Sequence, residues 1–133
     1  MPDKYFLDTS YIVALINERD QYHTIDVESS NQFKKGYLIT TDAVLFEIGN
    51  ALSKEHKREA VDVIFKLRAG TNIEVISIDS QLFDKGLKIY KKYLDKTWGL
   101  VDCISIAIMK DRNIYEALTF DSDCEQAELS IVK

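Results

Sequence analysis

One proline and five glycines in 133 residues leave no stretch for a flexible or low-complexity linker. That scarcity excludes the collagenous and disordered classes. The chain has only two cysteines, Cys103 and Cys124, and two histidines, His23 and His56. A closed zinc site drawn from His and Cys would need all four, and their spacing matches no usual ligand pattern. Long apolar runs are also missing. The longest, near Leu100 to Met109, is broken by Asp102 and Ser105 and is too short to span a bilayer. Met1 to Tyr5 runs straight into an expected strand, so no signal peptide and no membrane segment are expected, and a reducing cytoplasm is the expected compartment. There is no Walker lysine loop, no GxGxxG and no HExxH, which removes the common nucleotide-binding and zinc-protease signatures.

What the chain does have is an ordinary globular composition, 46% hydrophobic and 29% charged, at a length that suits a single domain over residues 1–133. Its 17 basic and 22 acidic residues give a formal charge of −5. Such a surface does not draw polyanions as a whole, so a nucleic-acid partner must be met by a local basic patch. Lys34 with Lys35, the group Lys54, Lys57 and Arg58, and the group Lys88, Lys91, Lys92 and Lys96 are the candidates. Each is by default a solvated helix face. Tyr93 and Trp98 could stack bases, although core packing is their default.

Short apolar runs alternate with helical ones. Tyr5 to Leu7 reads as a strand opening into Asp8-Thr9-Ser10, which offers helix-capping side chains. A helix with Ile12, Val13, Leu15 and Ile16 follows, then a polar helix over His23 to Lys35 ending at Gly36. Tyr37 to Ile39 is the second expected strand, with Thr40-Thr41-Asp42 capping a helix that carries Val44, Ile48, Ala51 and Leu52. A fourth helix carries Val61, Ile64, Phe65 and Leu67 and stops at Gly70. Ile73 to Ile78 is β-branched and alternating, and reads as a strand. Ser80 opens the next helix, and Leu100 to Lys110 is apolar almost all round and therefore central. Tyr115 to Phe120 and Ser130 to Val132 complete the strands. Strands separated by helices imply an α/β fold with a mostly parallel central sheet of four to five short strands and helices on both faces.

In such a sheet the site lies beyond the carboxyl ends of the strands. Asp8 follows the first strand and Asp121 follows Tyr115 to Phe120. Either alone reads as a helix N-cap; two at equivalent positions point to a site. Asp102 lies near the start of an otherwise apolar helix, with Ser105 on the same face, and a buried carboxylate there is costly unless it is paired or bound to a cation. Its competing explanation is first-turn placement, where helix polarity favours an acid by up to about 1 kcal/mol. Glu47 sits with Asn50 and Lys54 on an ordinary polar helix face, and taken alone it is a solvated residue. Cys103 reads as a small buried hydrophobe, with no histidine near it in sequence.

The order Phe6-Leu7-Asp8-Thr9-Ser10, Phe46-Glu47-Ile48, Leu100-Val101-Asp102, Leu118-Thr119-Phe120-Asp121 resembles the PIN-domain ribonucleases, and most of all the VapC-type toxins of bacterial toxin–antitoxin pairs. The likeness spans the whole chain. It implies a three-layer PIN-like fold and a site where Asp8, Glu47, Asp102 and Asp121 converge on one or two divalent cations, Mg²⁺ or Mn²⁺. Thr119 matches the hydroxyl residue before the last acid. Asp123 adds a carboxylate that shares the metal or caps the short helix after it, and Trp98-Gly99 takes no role from the family. The resemblance further implies an RNA substrate, a small antitoxin protein and a toxin homodimer.

The chemistry explains the residue types. Phosphodiesters are anionic and water is a poor nucleophile at neutral pH; a hard cation with oxygen ligands answers both problems. Magnesium prefers carboxylates, which accounts for acids without His or Cys. Two carboxylates ~4 Å apart oppose each other by about 4 kcal/mol at an effective dielectric near 20, so four converging acids must bind cation or hold protons. The expected function is therefore a metal-dependent endoribonuclease. A non-catalytic PIN-like module that binds RNA or protein is the alternative. A phosphoacceptor signalling domain fits poorly, because Asp8 is followed by Thr9 and Ser10 rather than a second acid.

Overall fold

The structure, a computed structural model, describes residues 4–19 and 36–118. Along the chain these form β1 (Lys4–Leu7), α1 (Thr9–Arg19), β2 (Tyr37–Thr41), α2 (Asp42–Ala51), α3 (Lys57–Ala69), β3 (Ile73–Ile76), α4 (Ser80–Lys92), α5 (Leu100–Arg112) and β4 (Ala117–Leu118). The sheet order is β3-β2-β1-β4 and every neighbouring pair is parallel. Parallel neighbours need crossovers, and helices supply them. Three strands of four or five residues and a two-residue fourth make up the sheet among the described residues. The expected strand Ser130 to Val132 and the expected polar helix His23 to Lys35 lie outside them.

The central strands run apolar because both of their faces are covered. Phe6, Leu7, Leu38 and Ile39 are fully buried, and the buried Thr40 hydroxyl donates to the Leu7 carbonyl at 3.0 Å. Local chemistry starts the helices where expected. Thr41 caps α2 by accepting the Val44 N–H at 3.2 Å, and Asp79 caps α4 by accepting the Leu82 N–H at 2.8 Å. The helix α5 is central, as its all-round apolar sequence predicts, with every residue from Cys103 to Met109 buried. It ends at Asn113, whose left-handed backbone (φ 55°) turns the chain. Gly86 lets α4 approach closely, because a Cβ there would stand 2.3 Å from Ile104 Cγ1. A second small core joins Trp98, Cys103 and Ile106 to Ile89 and Tyr93, so Trp98 and Tyr93 pack on each other (centroids 5.0 Å apart) rather than awaiting a base.

At the amino edge of the sheet, Arg112 at the end of α5 grips Glu74 of β3 with two hydrogen bonds of 3.1 and 2.9 Å, and the Tyr37 hydroxyl donates to the same carboxylate at 3.3 Å. The Arg112 hydrogen bond holds the Glu74 carboxyl below its usual range.

Two strand boundaries are corrected in detail. The last described strand begins at Ala117 rather than at Tyr115, because Ile114 closes the turn out of α5, its N–H donating to the Met109 carbonyl at 2.9 Å. The Glu116 carbonyl already accepts the Phe6 N–H at 3.0 Å, and residues 119 and 120 of the expected strand lie outside the described residues. The strand β3 stops at Ile76, since the Ile78 N–H is taken by the Asp42 carboxylate at 3.3 and 3.4 Å and not by a ladder. On α3, the buried residues are Ala60 and Leu67, while Val61 and Phe65 stand exposed. Among the described residues, no helix is long and apolar enough to cross a membrane.

Candidate active site

Asp8 is the first residue after β1, at the carboxyl end of a strand flanked by β2 and β4. It is 3% exposed. A carboxylate so far from water needs donors or a cation. Ser10 provides part of that support, its hydroxyl donating to Asp8 Oδ2 at 2.7 Å and its N–H at 3.4 Å. Capping explains why Asp8 is tolerated there, yet capping leaves its charge close to the sheet's functional edge.

Glu47 belongs to α2, and by spacing alone it is one of several polar helix residues. The structure gives it company. It is half-buried, and the Thr9 hydroxyl donates to Glu47 Oε1 at 2.7 Å. Thr9 is bonded to Asp8 in the chain, so this one contact draws the second acid to the end of β1. In the sequence Thr9 reads only as a capping residue. Nothing in the spacing distinguishes a hydroxyl that caps from one that bridges, and the only available signal was its place beside Asp8.

Asp102 lies in the first turn of α5, where Oδ2 accepts the Gly99 N–H at 3.1 Å. This is the half of a capping box that a glycine cap allows. The expected polar stripe with Ser105 is absent. Ser105 is fully buried, and its hydroxyl donates back to the Val101 carbonyl at 3.0 Å, satisfying itself within the helix. Burial pushes the neighbouring Cys103 thiol up to about 11, so it stays protonated and behaves as the small core hydrophobe expected.

Among the described residues, no three His, Cys, Asp or Glu side chains stand close enough together to hold a metal ion. Asp8 and Glu47 are drawn together through Thr9, and Asp102 is held at its own helix start. Asp121, Thr119 and Asp123 lie outside the described residues, as do Lys34 and Lys35. The basic groups Lys54, Lys57 and Arg58, and Lys88, Lys91, Lys92 and Lys96, are all exposed.

This order of elements, with acids after the first strand and on two helices, is that of a known family. Residues 5–129 match the PIN domain, and the chain belongs to the PIN domain family. It is similar to the 23S rRNA-specific endonuclease VapC20 of two Mycobacterium tuberculosis strains, CDC 1551 / Oshkosh and ATCC 25618 / H37Rv. Each is 25% identical over 122 residues, covering 92% of this chain and 92% of the relative. The fold is similar to the crystal structure of Mycobacterium tuberculosis VapC20, described as a Sarcin-Ricin loop cleaving toxin, with a TM-score of 0.77 and 24% identity over 92% of this chain and 94% of that one.

Proposed function

We propose that the chain is a metal-dependent endoribonuclease, the toxin of a toxin–antitoxin pair, in which Asp8, Glu47, Asp102 and Asp121 form one site for Mg²⁺ or Mn²⁺. The observation that carries this reading is the 2.7 Å hydrogen bond from Thr9 to Glu47, which brings a helix acid to the end of the strand that Asp8 follows. Membership of the PIN domain family and similarity to an rRNA endonuclease along almost the whole chain support it.

The donor chemistry fits the ion. The candidate ligands are all carboxylates, as hard cations prefer, while Cys103 lies in the core and His56 pairs with Glu59 at 3.3 Å. Asp8, buried at the end of β1 with its Oδ2 held by the Ser10 hydroxyl, presents a carboxylate of the hard-oxygen kind such a cation takes. Asp8, Glu47, Asp102 and Asp121 would hold the ion, with Thr119 and Asp123 as auxiliaries. Bound there, it would neutralise the phosphodiester and lower the pKa of an attacking water. The residues of this chain supply the rest: Ser10 fixes the Asp8 carboxylate, and Thr9 fixes that of Glu47. Asp102 stays at the positive end of α5, where its charge is favoured.

Right-handed crossovers place α1, α2 and α3, which serve β1 to β3, on one face of the sheet. They place α4 and α5, which serve the return to β4, on the other. That three-layer arrangement changes direction between β1 and β4, the strands followed by Asp8 and Asp121. The reading treats residues 1–133 as one domain, acting in the cytoplasm as a homodimer restrained by a small antitoxin protein. The test is RNA cleavage with Mg²⁺ or Mn²⁺ against chelator, for the native chain and for Asp8→Asn and Asp102→Asn. Metal-dependent cleavage lost in both folded variants is expected. Cleavage retained by both removes the site, and RNA binding without cleavage by the native chain identifies a non-catalytic module instead.

A further inference from the structure

We infer that the cavity at the carboxyl ends of β2 and β3 is a nucleotide subsite, which receives an unpaired RNA base beside the scissile phosphate with Phe46 as its stacking platform and Arg68 as its phosphate contact. The inference rests on the nuclease reading above and adds to it where the substrate lies.

The cavity measures about 480 Å³ and is lined by Asp42, Phe46, Ile64, Arg68, Val75 and Ser77, among others. It is an open groove rather than an enclosed pocket, as a chain-like ligand requires. Its place follows from the topology. The strand β2 hands over to α2, which packs with α1 and α3, whereas β3 hands over to α4, which packs on α5. Asp42 opens α2 directly after β2 and Ser77 directly follows β3, so the cavity lies at the carboxyl edge of the sheet, the edge at which open α/β sheets take ligands.

The lining suits a nucleotide. Phe46 is 69% exposed, an aromatic ring left in water at the cavity wall. It directly precedes Glu47, the acid held by Thr9. Successive helix residues point about 100° apart, so α2 offers an acid to the end of β1 and an aromatic face to the cavity from neighbouring positions. Unpaired bases are recognised by stacking on aromatic rings and guanidinium planes. The Arg68 guanidinium supplies the positive charge, with no carboxylate partner among the described residues. The one acid in the lining, Asp42, has both carboxylate oxygens turned to the Ile78 N–H, at 3.3 and 3.4 Å. Ser77, exposed just after β3, offers a hydroxyl that both donates and accepts to a base edge. Val61 and Phe65 are the exposed apolar residues of α3 that a protein partner would favour, and neither belongs to this lining.

The experiment measures binding of a short single-stranded RNA of mixed sequence in chelator, so that no cleavage intervenes. Phe46→Ala is expected to weaken binding about tenfold, and Phe46→Tyr to restore it. Arg68→Gln is expected to weaken binding and flatten its salt dependence. Added nucleoside monophosphates are expected to shift the Val75 and Ser77 amide resonances. Phe46 is exposed, so unchanged thermal melting of Phe46→Ala checks that the fold survives. Equal RNA affinity for the native chain and Phe46→Ala, with unshifted Val75 and Ser77 amides, overturns the subsite and leaves the groove to a protein. Phe46-dependent binding without metal-dependent cleavage upholds the subsite and overturns the nuclease reading; cleavage with Phe46-independent binding does the reverse.

Discussion

Thr9→Val isolates the contact on which the site depends. The substitution keeps the size and branching of the side chain and removes only the hydroxyl that donates to Glu47 Oε1 at 2.7 Å. A hydrogen bond to a charged group contributes about 1.5–3 kcal/mol when it is sheltered. Thr9 and Glu47 are both half-buried, so solvent screening reduces the expected value to about 1 kcal/mol. For a chain of this size that lowers the melting temperature by about 3 °C. The cleaner measure is a double-mutant cycle of Thr9→Val with Glu47→Ala, followed by urea unfolding in chelator so that metal adds nothing. The two changes touch one contact, and the expected coupling is about 1 kcal/mol. Freed from Thr9, Glu47 is also expected to hold Mn²⁺ less well, so the ion should raise the melting temperature of Thr9→Val less than that of the native chain. A coupling within about 0.3 kcal/mol of zero, together with an unchanged Mn²⁺ response, would refute the assignment of Thr9 as the residue that positions Glu47.

The remaining predictions concern the scaffold. Glu74 has a depressed carboxyl pKa in the folded chain, so its contribution is present above the ordinary carboxylate range and is lost as pH falls through the folded value. The stability difference between the native chain and Glu74→Gln should therefore be largest at neutral pH and shrink on acidification; a difference that grows toward low pH would contradict the Arg112 pairing. Cys103, with its thiol pushed up to about 11 and no exposure, should resist a thiol reagent at pH 8 in a Cys124→Ser background and react only on unfolding. Rapid native-state labelling would contradict its placement. Gly86→Ala should cost about 1–3 kcal/mol in chemical denaturation, because the new methyl group meets Ile104 on the facing helix. A neutral effect would mean that α4 and α5 are further apart than described.

The parts of this protein legible in its sequence are those where one residue has one plausible environment. The helix α5 carries apolar residues on every side, so burial from Cys103 to Met109 follows from composition. Thr41, next to a short apolar strand, had little to do but cap. Ambiguity enters where the same side chain serves two physical purposes. Ser105 looked like part of a polar stripe with Asp102, but a hydroxyl can satisfy itself on the carbonyl four residues back, and helical spacing does not reveal the choice. Glu47 was an ordinary helix carboxylate until a residue 38 positions away was seen to donate to it. Phe46, Val61 and Phe65 were legible as apolar, not as exposed, because exposure depends on what the neighbouring elements leave uncovered.

The most direct test is to locate Mn²⁺ by its anomalous scattering in crystals of the native chain. An ion coordinated at about 2.1 Å by the Asp8 carboxylate and shared with Glu47, Asp102 or Asp121 is the predicted result. Crystals equilibrated with millimolar Mn²⁺ that show no ion at Asp8, or that place it only among unrelated surface acids, would contradict the account.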